Sequence, residues 1–358
     1  MPLLEVCLVD DSPLTAYLGA ILRKPEAIVW LRTSQQKTIV SRIESALSGK
    51  INATYESREI QPEIEDFVEQ CKQIIKDYPE HEIILNTSGG DPLYVLLAAE
   101  VFKQADKEVN FIDTNHSRLV NVRSGEKKSF QLNLTVNEYS ALQGIEIESG
   151  TRYDPEIGKR SGLSYFIGNN VDDVIPFIDK IRQEWNDMGD NKQDIQWKMN
   201  AQHRFVVTYE AAGDKMRFRF GNPERQKTME IVGTGADYLF NGGWLRELVF
   251  LRVHRSQYDD VRLDVRLNRN SIPEGMRAES MIDIAMMKGC HFYIFQCFSY
   301  PITRESFIEL SAVQNTIKLL NAKGFVFLAH HPYRGFLERA SDSGIGVIYG
   351  RRIANFSI

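Results

Sequence analysis

The chain has 358 residues, of which 43% are hydrophobic and 25% charged, and its formal net charge is -5. This length favours two or more domains, and the acidic balance excludes the strong positive field of proteins that coat nucleic acids. No apolar run approaches the roughly 18 residues that span a bilayer, and acidic residues replace the basic flank of a signal peptide, so we expect a cytoplasmic protein.

Residues 1–150 alternate apolar strands with amphipathic helices, which predicts a largely parallel α/β sheet. In such sheets, ligands bind beyond the carboxyl ends of the strands, where helix N-termini and free backbone N–H groups converge. Four predicted strands end in small polar residues. These residues form the candidate ligand site: Asp10, Asp11, Ser12, Pro13, Arg32, Thr33, Ser34, Asn86, Thr87, Ser88, Gly89, Gly90, Asp113 and Thr114.

The loop NTSGGDP, at residues 86–92, has two interpretations. A glycine pair before a helix lets an anion approach backbone N–H groups, but it also forms an ordinary tight turn. The loop lacks the lysine of a Walker phosphate loop, and it does not follow the GxGxxG dinucleotide pattern. Because four polar strand ends occur together, we favour the ligand-binding interpretation.

Residues 151–238 have the size of a connecting subdomain, with a helix at VDDVIPFIDKIRQEWNDMG and a hairpin at HRFVVTYEAAGDKMRFRFGN. Basic residues alternate with aromatic ones in this region. They predict either a nucleic-acid-binding stripe or a solvated strand face, and the net negative charge of the chain favours the second. The basic residues are Lys215, Arg217, Arg219, Arg225 and Lys227.

Residues 239–358 begin with a helix at NGGWLRELVFLRVHRS, which three consecutive strands follow. The second of these strands contains Asp283 and the third contains Gln296. A helix at ESFIELSAVQNTIKLLNAKG and a buried strand at FVFLAHH come next. The order of helix, three strands, helix and strand predicts a restriction-endonuclease-like core.

Five segments carry a resemblance to a known family. LNTSGGDPLYVLLAAEVF resembles the ligand motif of the CRISPR-associated Rossmann-fold (CARF) receptors, and VCLVDDSPLTAYLGAI is similar to their other ligand-contacting loop. NGGWLRELVF, SMIDIAMMKGCHFYIFQCFSY and ASDSGIGVIYG resemble the restriction-endonuclease-like, PD-(D/E)xK half of the CARF nucleases that act beside type III CRISPR systems.

The resemblance implies an α/β protein in three parts. An N-terminal Rossmann-like CARF domain covers residues 1–150, a small connecting subdomain covers 151–238, and a C-terminal restriction-endonuclease-like α/β domain covers 239–358. It also implies a homodimer that binds a cyclic oligoadenylate, most often the four-adenosine ring, across its twofold axis.

The ligand loop departs from the family pattern at two positions. Asp91 and Pro92 stand where the family has threonine and lysine. Loss of the lysine removes a charge-assisted contact to phosphate, typically worth about 1.5–3 kcal/mol when desolvated. Arg32 and Lys37 are the nearby cations that could compensate.

The nuclease motif is also incomplete. The chemistry needs two carboxylates for Mg²⁺ or Mn²⁺ and a lysine for the attacking water. By resemblance, Asp283 is the central metal ligand and Glu247 the helper acid, whereas Gln296 and Phe298 replace the second acid and the lysine. Each loss commonly costs about a hundredfold in rate. Lys318, on the following helix, is the candidate for a migrated lysine.

Three functions follow as hypotheses. The first is a cyclic oligoadenylate receptor whose nuclease-like domain is inactive or weak and which acts by conformational change. The second is an active metal-dependent DNA or RNA nuclease with a rearranged site, which needs nucleic acid at the C-terminal domain. The third is a ring nuclease that cleaves the cyclic oligoadenylate in the CARF domain. None of them involves a membrane.

Overall fold

The computed structural model describes residues 1–199, 204–222, 224–254, 258–274, 276 and 280–357. Within these residues the chain forms two compact units, Met1–Glu146 with Met287–His291, and Ile147–Met286 with Phe292–Ile358. The division into three parts, at residues 1–150, 151–238 and 239–358, stays a prediction. No helix in the described ranges is long and apolar enough to cross a membrane.

The first unit is built on seven strands. They are β1 (Leu3–Leu8), β2 (Ala27–Arg32), β3 (Thr54–Glu59), β4 (Glu82–Asn86), β5 (Glu108–Asp113), β6 (Arg118–Asn121) and β7 (Lys127–Ser129). The helices are α1 (Leu14–Arg23), α2 (Lys37–Leu47), α3 (Ile64–Asp77), α4 (Pro92–Gln104) and α5 (Val136–Leu142). The strands form one sheet in the order β3-β2-β1-β4-β5-β6-β7.

Burial explains which strands the sequence predicts. β1 and β2 each bury five of their six residues, as central strands with helices on both faces must. β3 buries none of its residues, because it is the edge strand and its sequence, TYESRE, is polar on both faces. The hydrophobic pattern therefore predicts the centre of this sheet and misses its edge.

The strand order reverses beside β1. β2 and β3 lie on one side of β1, and β4 and β5 lie on the other, all of them parallel. β6 and β7 continue the sheet as antiparallel strands. The loops that follow β1 and β4 therefore border the crevice where ligands bind in such sheets.

The described residues of the second unit form ten strands, two of which extend into the segment Met287–His291. They are β8 (Ile147–Thr151), β9 (Ile195–Met199), β10 (Arg204–Glu210), β11 (Lys215–Gly221), β12 (Lys227–Val232), β13 (Asp260–Leu267), β14 (Met281–Lys288), β15 (His291–Phe298), β16 (Lys323–Leu328) and β17 (Ile345–Tyr349). The helices are α6 (Pro155–Asn169), α7 (Val171–Asp187), α8 (Gly235–Phe240), α9 (Gly243–His254), α10 (Ser306–Leu319) and α11 (Arg334–Asp342).

Two sheets share one hydrophobic core in this unit. Their strand orders are β12-β11-β10-β9 and β17-β16-β15-β14-β13-β8. Phe205 and Phe218 of the first sheet are buried in the same cluster as Phe295 and Phe327 of the second, together with Trp244 of α9. α9, β13–β15, α10 and β16 follow one another in the order predicted for a restriction-endonuclease-like core.

Candidate functional site

The loop after β4 is held in shape by its own side chains. Asn86 is buried, and its Oδ1 accepts a hydrogen bond from the backbone N–H of Ser88 at 3.1 Å. Oγ1 of Thr87 donates to the carbonyl of Asn110 at 2.8 Å, and Oγ of Ser88 accepts from the N–H of Ile112 at 2.6 Å. As placed, these side chains order the loop instead of offering free polar groups to a ligand.

The two glycines of this loop are required by space and backbone conformation. A Cβ on Gly89 would lie 2.8 Å from the carbonyl oxygen of Leu8 and 3.3 Å from the Asp10 carboxyl group. Gly90 has φ +97°, and a Cβ there would lie 2.6 Å from Cβ of Leu8. Asp91 then caps α4 with its carboxylate. The loop after β4 therefore contacts the end of β1 closely.

Asp10 lies where these two loops meet. Its Oδ1 accepts the backbone N–H of Ser12 at 2.8 Å. Burial raises the pKa of Asp10, and the hydrogen bonds from the N–H groups of Ser12 and Gly90 oppose that rise. Asp11 is exposed, and Pro13 is buried immediately before α1. Asp10 therefore occupies backbone donors that an anion would otherwise use.

Arg32, the cation predicted at the end of β2, already donates hydrogen bonds within the protein. Nε of Arg32 donates to Oγ of Ser57 at 2.6 Å, and its Nη1 donates to the carbonyl of Thr33 at 3.0 Å. Thr33 and Ser34 are exposed, as is Lys37 at the start of α2. The two hydroxyl groups remain accessible to a ligand, and so does the Lys37 ammonium group.

The residues at the end of β5 are the fourth polar strand end, and the four together are called the strand-end row. Oδ2 of Asp113 lies 2.7 Å from Nδ1 of His116, and Thr114 is half-buried. Because β2, β1, β4 and β5 are neighbours in the sheet, the four predicted strand ends lie side by side. The structure therefore places the predicted ligand residues side by side, at the end of the sheet where these four strands finish.

A buried polar network supports these strand ends, and the sequence analysis did not predict it. Glu5 on β1 is fully buried, and its Oε1 accepts from Nη1 of Arg23 at 2.7 Å and from Nδ2 of Asn86 at 3.1 Å. Burial raises the pKa of Glu5, while Arg23 acts to lower it. A Cβ on Gly19 of α1 would lie 2.1 Å from Glu5 Oε1. A glutamate inside the apolar run LLEVCLV is the signal that could have revealed this network.

A second candidate site lies in the second unit. A cavity of about 190 Å³ is lined by Asp283 of β14 and by Gln296 and Phe298 of β15, with Arg246 and Glu309 from helices. The structure therefore brings together the three strand positions that the resemblance aligns with a nuclease motif. Arg246 and Glu309 are additions that the sequence analysis missed.

Asp283 is hydrogen-bonded to residues of the neighbouring strand through both its carboxylate and its backbone. Its Oδ2 accepts the N–H of Cys297 at 2.7 Å, and Oε1 of Gln296 lies 3.4 Å from the Asp283 backbone nitrogen. Burial raises the pKa of the Cys297 thiol well above its usual value, and the Asp283 charge adds to the rise. The thiol therefore stays protonated and unreactive.

Arg246 of α9 joins three carboxylates. Its Nη1 lies 3.1 Å from Oδ1 of Asp264 and 3.9 Å from Oδ1 of Asp283, and its Nη2 lies 3.9 Å from Oδ2 of Asp237. Asp264 has φ +52° at an irregular position of β13, which directs its side chain toward Arg246. Burial raises the pKa of Asp264, and Arg246 opposes that rise.

Two predicted catalytic residues do not line this cavity. Glu247 is buried in an ion pair with Arg160, whose Nε donates to it at 2.9 Å. Adjacent residues on a helix point about 100° apart, so Arg246 reaches Asp283 while Glu247 turns away. Lys318 is exposed on α10, and it is Glu309 that α10 contributes to the lining.

The residues of the cavity do not fit Mg²⁺ or Mn²⁺. Hard cations need several anionic oxygens, but Asp283 has one oxygen engaged by an amide, Gln296 is neutral, and Arg246 adds positive charge. The Glu309 carboxylate, which also lines the cavity, accepts a hydrogen bond from the Tyr300 hydroxyl at 2.6 Å. Over the part of the chain that is described, no three histidine, cysteine, aspartate or glutamate side chains are grouped to hold a metal. No metal-dependent step is derived from this cavity.

No protein-family model and no curated protein matches the sequence. The structure is similar to that of Can2 from Sulfobacillus thermosulfidooxidans in complex with cyclic tetra-adenylate, at 16% identity and a TM-score of 0.72, covering 98% of this chain and 94% of that one. This chain has the Can2 fold. The resemblance found in the sequence is therefore confirmed at the level of the fold.

Two further solved structures are similar to that of this chain. Protein VC1899 from Vibrio cholerae is 18% identical with a TM-score of 0.75, covering 98% of this chain and 95% of that one. A type III CRISPR defence DNA nuclease activated by cyclic oligoadenylate is 13% identical with a TM-score of 0.55, covering 92% of this chain and 45% of that one. The Can2 fold confirms the predicted α/β architecture of a Rossmann-like part followed by a nuclease-like part.

Proposed function

We propose that this chain is a receptor for a cyclic oligoadenylate, with cyclic tetra-adenylate as its ring, in type III CRISPR defence. The observation that carries the proposal is the row of four polar strand ends, where the glycine loop after β4 contacts the end of β1. A protein of the same fold is bound to cyclic tetra-adenylate. Exposed Thr33, Ser34 and Lys37 are the groups that would meet phosphate or ribose.

The receptor acts as a homodimer in this proposal. α4 starts at the ligand loop, and its residues Leu96 and Leu93 are 70% and 48% exposed. Exposed leucines on a helix with few charged residues favour contact with another apolar surface. If two copies meet along α4, their ligand loops come close together, which suits a ring with repeated adenosines.

The nuclease-like domain is inactive or weak in this proposal. Its cavity holds a carboxamide at Gln296, a benzene ring at Phe298 and the Arg246 guanidinium group beside Asp283. A guanidinium group cannot deprotonate or activate water at neutral pH, because it stays charged. Ring binding would therefore act through a change of conformation or of partner contacts.

The proposal is tested by calorimetric titration of the full chain with cyclic tetra-adenylate. Gly90→Ala places a Cβ against Leu8 at positive φ and should weaken binding at least tenfold. Gly49→Ala is the matched control, because Gly49 has φ +76° and a Cβ added there would meet no atom within 4 Å, so it carries the backbone strain of about 1–2 kcal/mol alone. Absence of heat with the unaltered chain would reject the proposed receptor, and equal loss in both variants would place the ring away from the glycine loop after β4.

Cleavage assays separate the three hypotheses. The ligand-bound protein is incubated with plasmid DNA, single-stranded DNA and RNA in Mg²⁺ or Mn²⁺, and the cyclic ligand is analysed for linear products. We expect no cleavage of either kind at equimolar enzyme. Strand cutting that Asp283→Ala abolishes would establish the active nuclease instead, and linear oligoadenylate would establish the ring nuclease.

A further inference from the structure

A separate cavity of about 440 Å³ lies between α6 and the turn that joins β11 to β12. Its volume falls within the usual range of small-ligand pockets. Tyr165, Phe166 and Asn169 line it from α6. Arg225 and Lys227 line it from the turn and from β12. All its lining residues belong to the second unit.

The aromatic wall of the cavity is fixed in place by its neighbours. The ring of Phe166 packs against Phe220 and Phe205, with centroids 5.3 and 5.5 Å apart. Cζ of Arg252 lies 5.1 Å from the centroid of the Tyr165 ring. Both Tyr165 and Phe166 are nevertheless only partly buried. They offer preorganised ring surface to a flat ligand.

The strand register divides the basic residues of this sheet between its two faces. Lys227 is paired directly with Phe220, so both side chains lie on the face that α6 covers. Nζ of Lys227 lies 4.0 Å from the position of a Cβ built on Gly162 of α6. Arg217 is paired with Glu230 on the opposite face. The stripe that alternation predicts is therefore split, and only part of it reaches the cavity.

The cations of this sheet differ in charge compensation. On the outer face, Arg217 and Lys215 each form ion pairs with Glu210 and Glu230, whereas Arg219 on that face has no ion pair among the described residues. Arg225 and Lys227 have no carboxylate within ion-pair distance among the residues that the structure describes. Their positive charge remains available to an anion at the mouth of an aromatic cavity.

We infer that this cavity binds a nucleobase together with its adjoining phosphate, as part of a single strand of DNA or RNA. A base stacks on the Tyr165 and Phe166 rings, the Asn169 amide hydrogen-bonds the base edge, and Arg225 and Lys227 neutralise the phosphate. Aromatic stacking with basic residues along a groove is how proteins bind single strands without strong sequence preference. The site is distinct from the strand-end row of the first unit, and it does not rest on the proposed receptor function.

Gly162 provides a variant pair that tests the cavity itself. A Cβ at this position meets only Phe220 and Lys227, at 3.9 and 4.0 Å, so Gly162→Ala leaves the cavity open. Gly162→Met extends a side chain into it. Binding is measured by fluorescence anisotropy with fluorescein-labelled 20-nucleotide oligo(dA) and oligo(A) on the full chain, and free AMP is tested as a competitor.

Charge is tested with a second pair. Lys227→Ala should lower strand affinity about fivefold to tenfold and reduce the slope of log affinity against log salt by about 0.7. Arg219→Ala removes the same charge from the outer face of the same sheet and should change affinity less than twofold. Binding of cyclic tetra-adenylate is measured in parallel and should be equal in all variants, which separates this site from the first unit.

The expected result is that Gly162→Met and Lys227→Ala weaken binding while Gly162→Ala and Arg219→Ala do not. Competition by AMP at concentrations near the strand affinity would identify a free nucleotide as the ligand source, and lack of competition would identify the strand. The inference is wrong if neither probe binds the unaltered chain, or if Gly162→Met binds both probes as tightly as Gly162→Ala.

Discussion

Nη1 of Arg246 lies 3.9 Å from Oδ1 of Asp283, at the position where the sequence resemblance predicts a metal ligand. The same nitrogen lies 3.1 Å from Asp264. An arginine carries its charge permanently, so Asp283 has a protein cation as its neighbour. Asp283 is then explained as part of an internal ion-pair network, and its presence does not by itself indicate catalysis.

Arg246→Met should destabilise the second unit by about 1–3 kcal/mol, because it leaves partly buried carboxylates without their cation. Adding Asp283→Asn to this variant should recover part of the loss, giving a coupling of about 1 kcal/mol in a double-mutant cycle. Urea unfolding monitored by tryptophan fluorescence measures both values. Arg334→Met is the control, since Arg334 is 91% exposed in its ion pair with Glu338. Additive effects of the two substitutions would contradict the assigned pairing.

Gly19→Ala should destabilise the first unit by about 1–3 kcal/mol through overpacking. Its Cβ would lie 2.1 Å from Oε1 of Glu5 and 2.4 Å from Nδ2 of Asn86, so the network under the ligand loop must shift. Cyclic tetra-adenylate affinity should fall with it. Gly162→Ala is the matched helix control and should stabilise by about 0.5–1 kcal/mol. An unchanged Tm for Gly19→Ala would show that the network tolerates displacement.

Leu96→Asp should convert the proposed dimer to a monomer, because it places a charge on the exposed apolar surface of α4. Size-exclusion chromatography with light scattering measures the mass at several concentrations. Ile308→Asp serves as the control, since Ile308 is 66% exposed on α10, close to the exposure of Leu96. A dimer that persists in Leu96→Asp would place the interface elsewhere, and a monomeric unaltered chain would reject the dimer.

The affinity for cyclic tetra-adenylate should fall as pH rises through the pKa of Asp10. Burial raises that pKa above the usual 3.8, so Asp10 acquires its charge at a higher pH than an exposed aspartate does, and a charged Asp10 repels phosphate. Asp10→Asn should therefore bind about threefold to tenfold more tightly at neutral pH and lose this dependence. Titrations from acidic to neutral pH measure it.

Glu80→Gln is the control for this pH profile, because Glu80 is an exposed acid of the same unit. It should keep the fall in affinity of the unaltered chain. If Asp10→Asn shows the same fall, Asp10 is not the titrating group, and the strand-end row does not approach the ring phosphates at that residue.

The sequence predicts the parts of this fold that bury continuous apolar runs. β1, β2 and β4 are of this kind, and the polar residues that follow them mark the candidate ligand site. It does not predict α6, whose three glycines lower helix propensity. Gly168 of α6 is explained only by tertiary packing, because a Cβ there would lie 2.3 Å from Leu248 of α9.

The cavity at Asp283 shows the limit of motif alignment. The positions of Asp283, Gln296 and Phe298 follow from strand order alone, and the structure brings them together. Which helix residue faces them depends on the rotation of α9, and a one-residue difference puts Arg246 at the cavity in place of Glu247. No pattern in the sequence distinguishes these two neighbours, since both are charged and both form ion pairs, Glu247 while buried and Arg246 while partly buried.

The ring of Phe298 is nearly enclosed, and it stacks on Tyr300 with centroids 5.7 Å apart. A lysine in place of Phe298 would bring an ammonium group into the cavity that Arg246 also lines, so the two cations would repel each other. Such a substitution would leave Gln296 neutral, so a single replacement does not supply the charges of a nuclease motif.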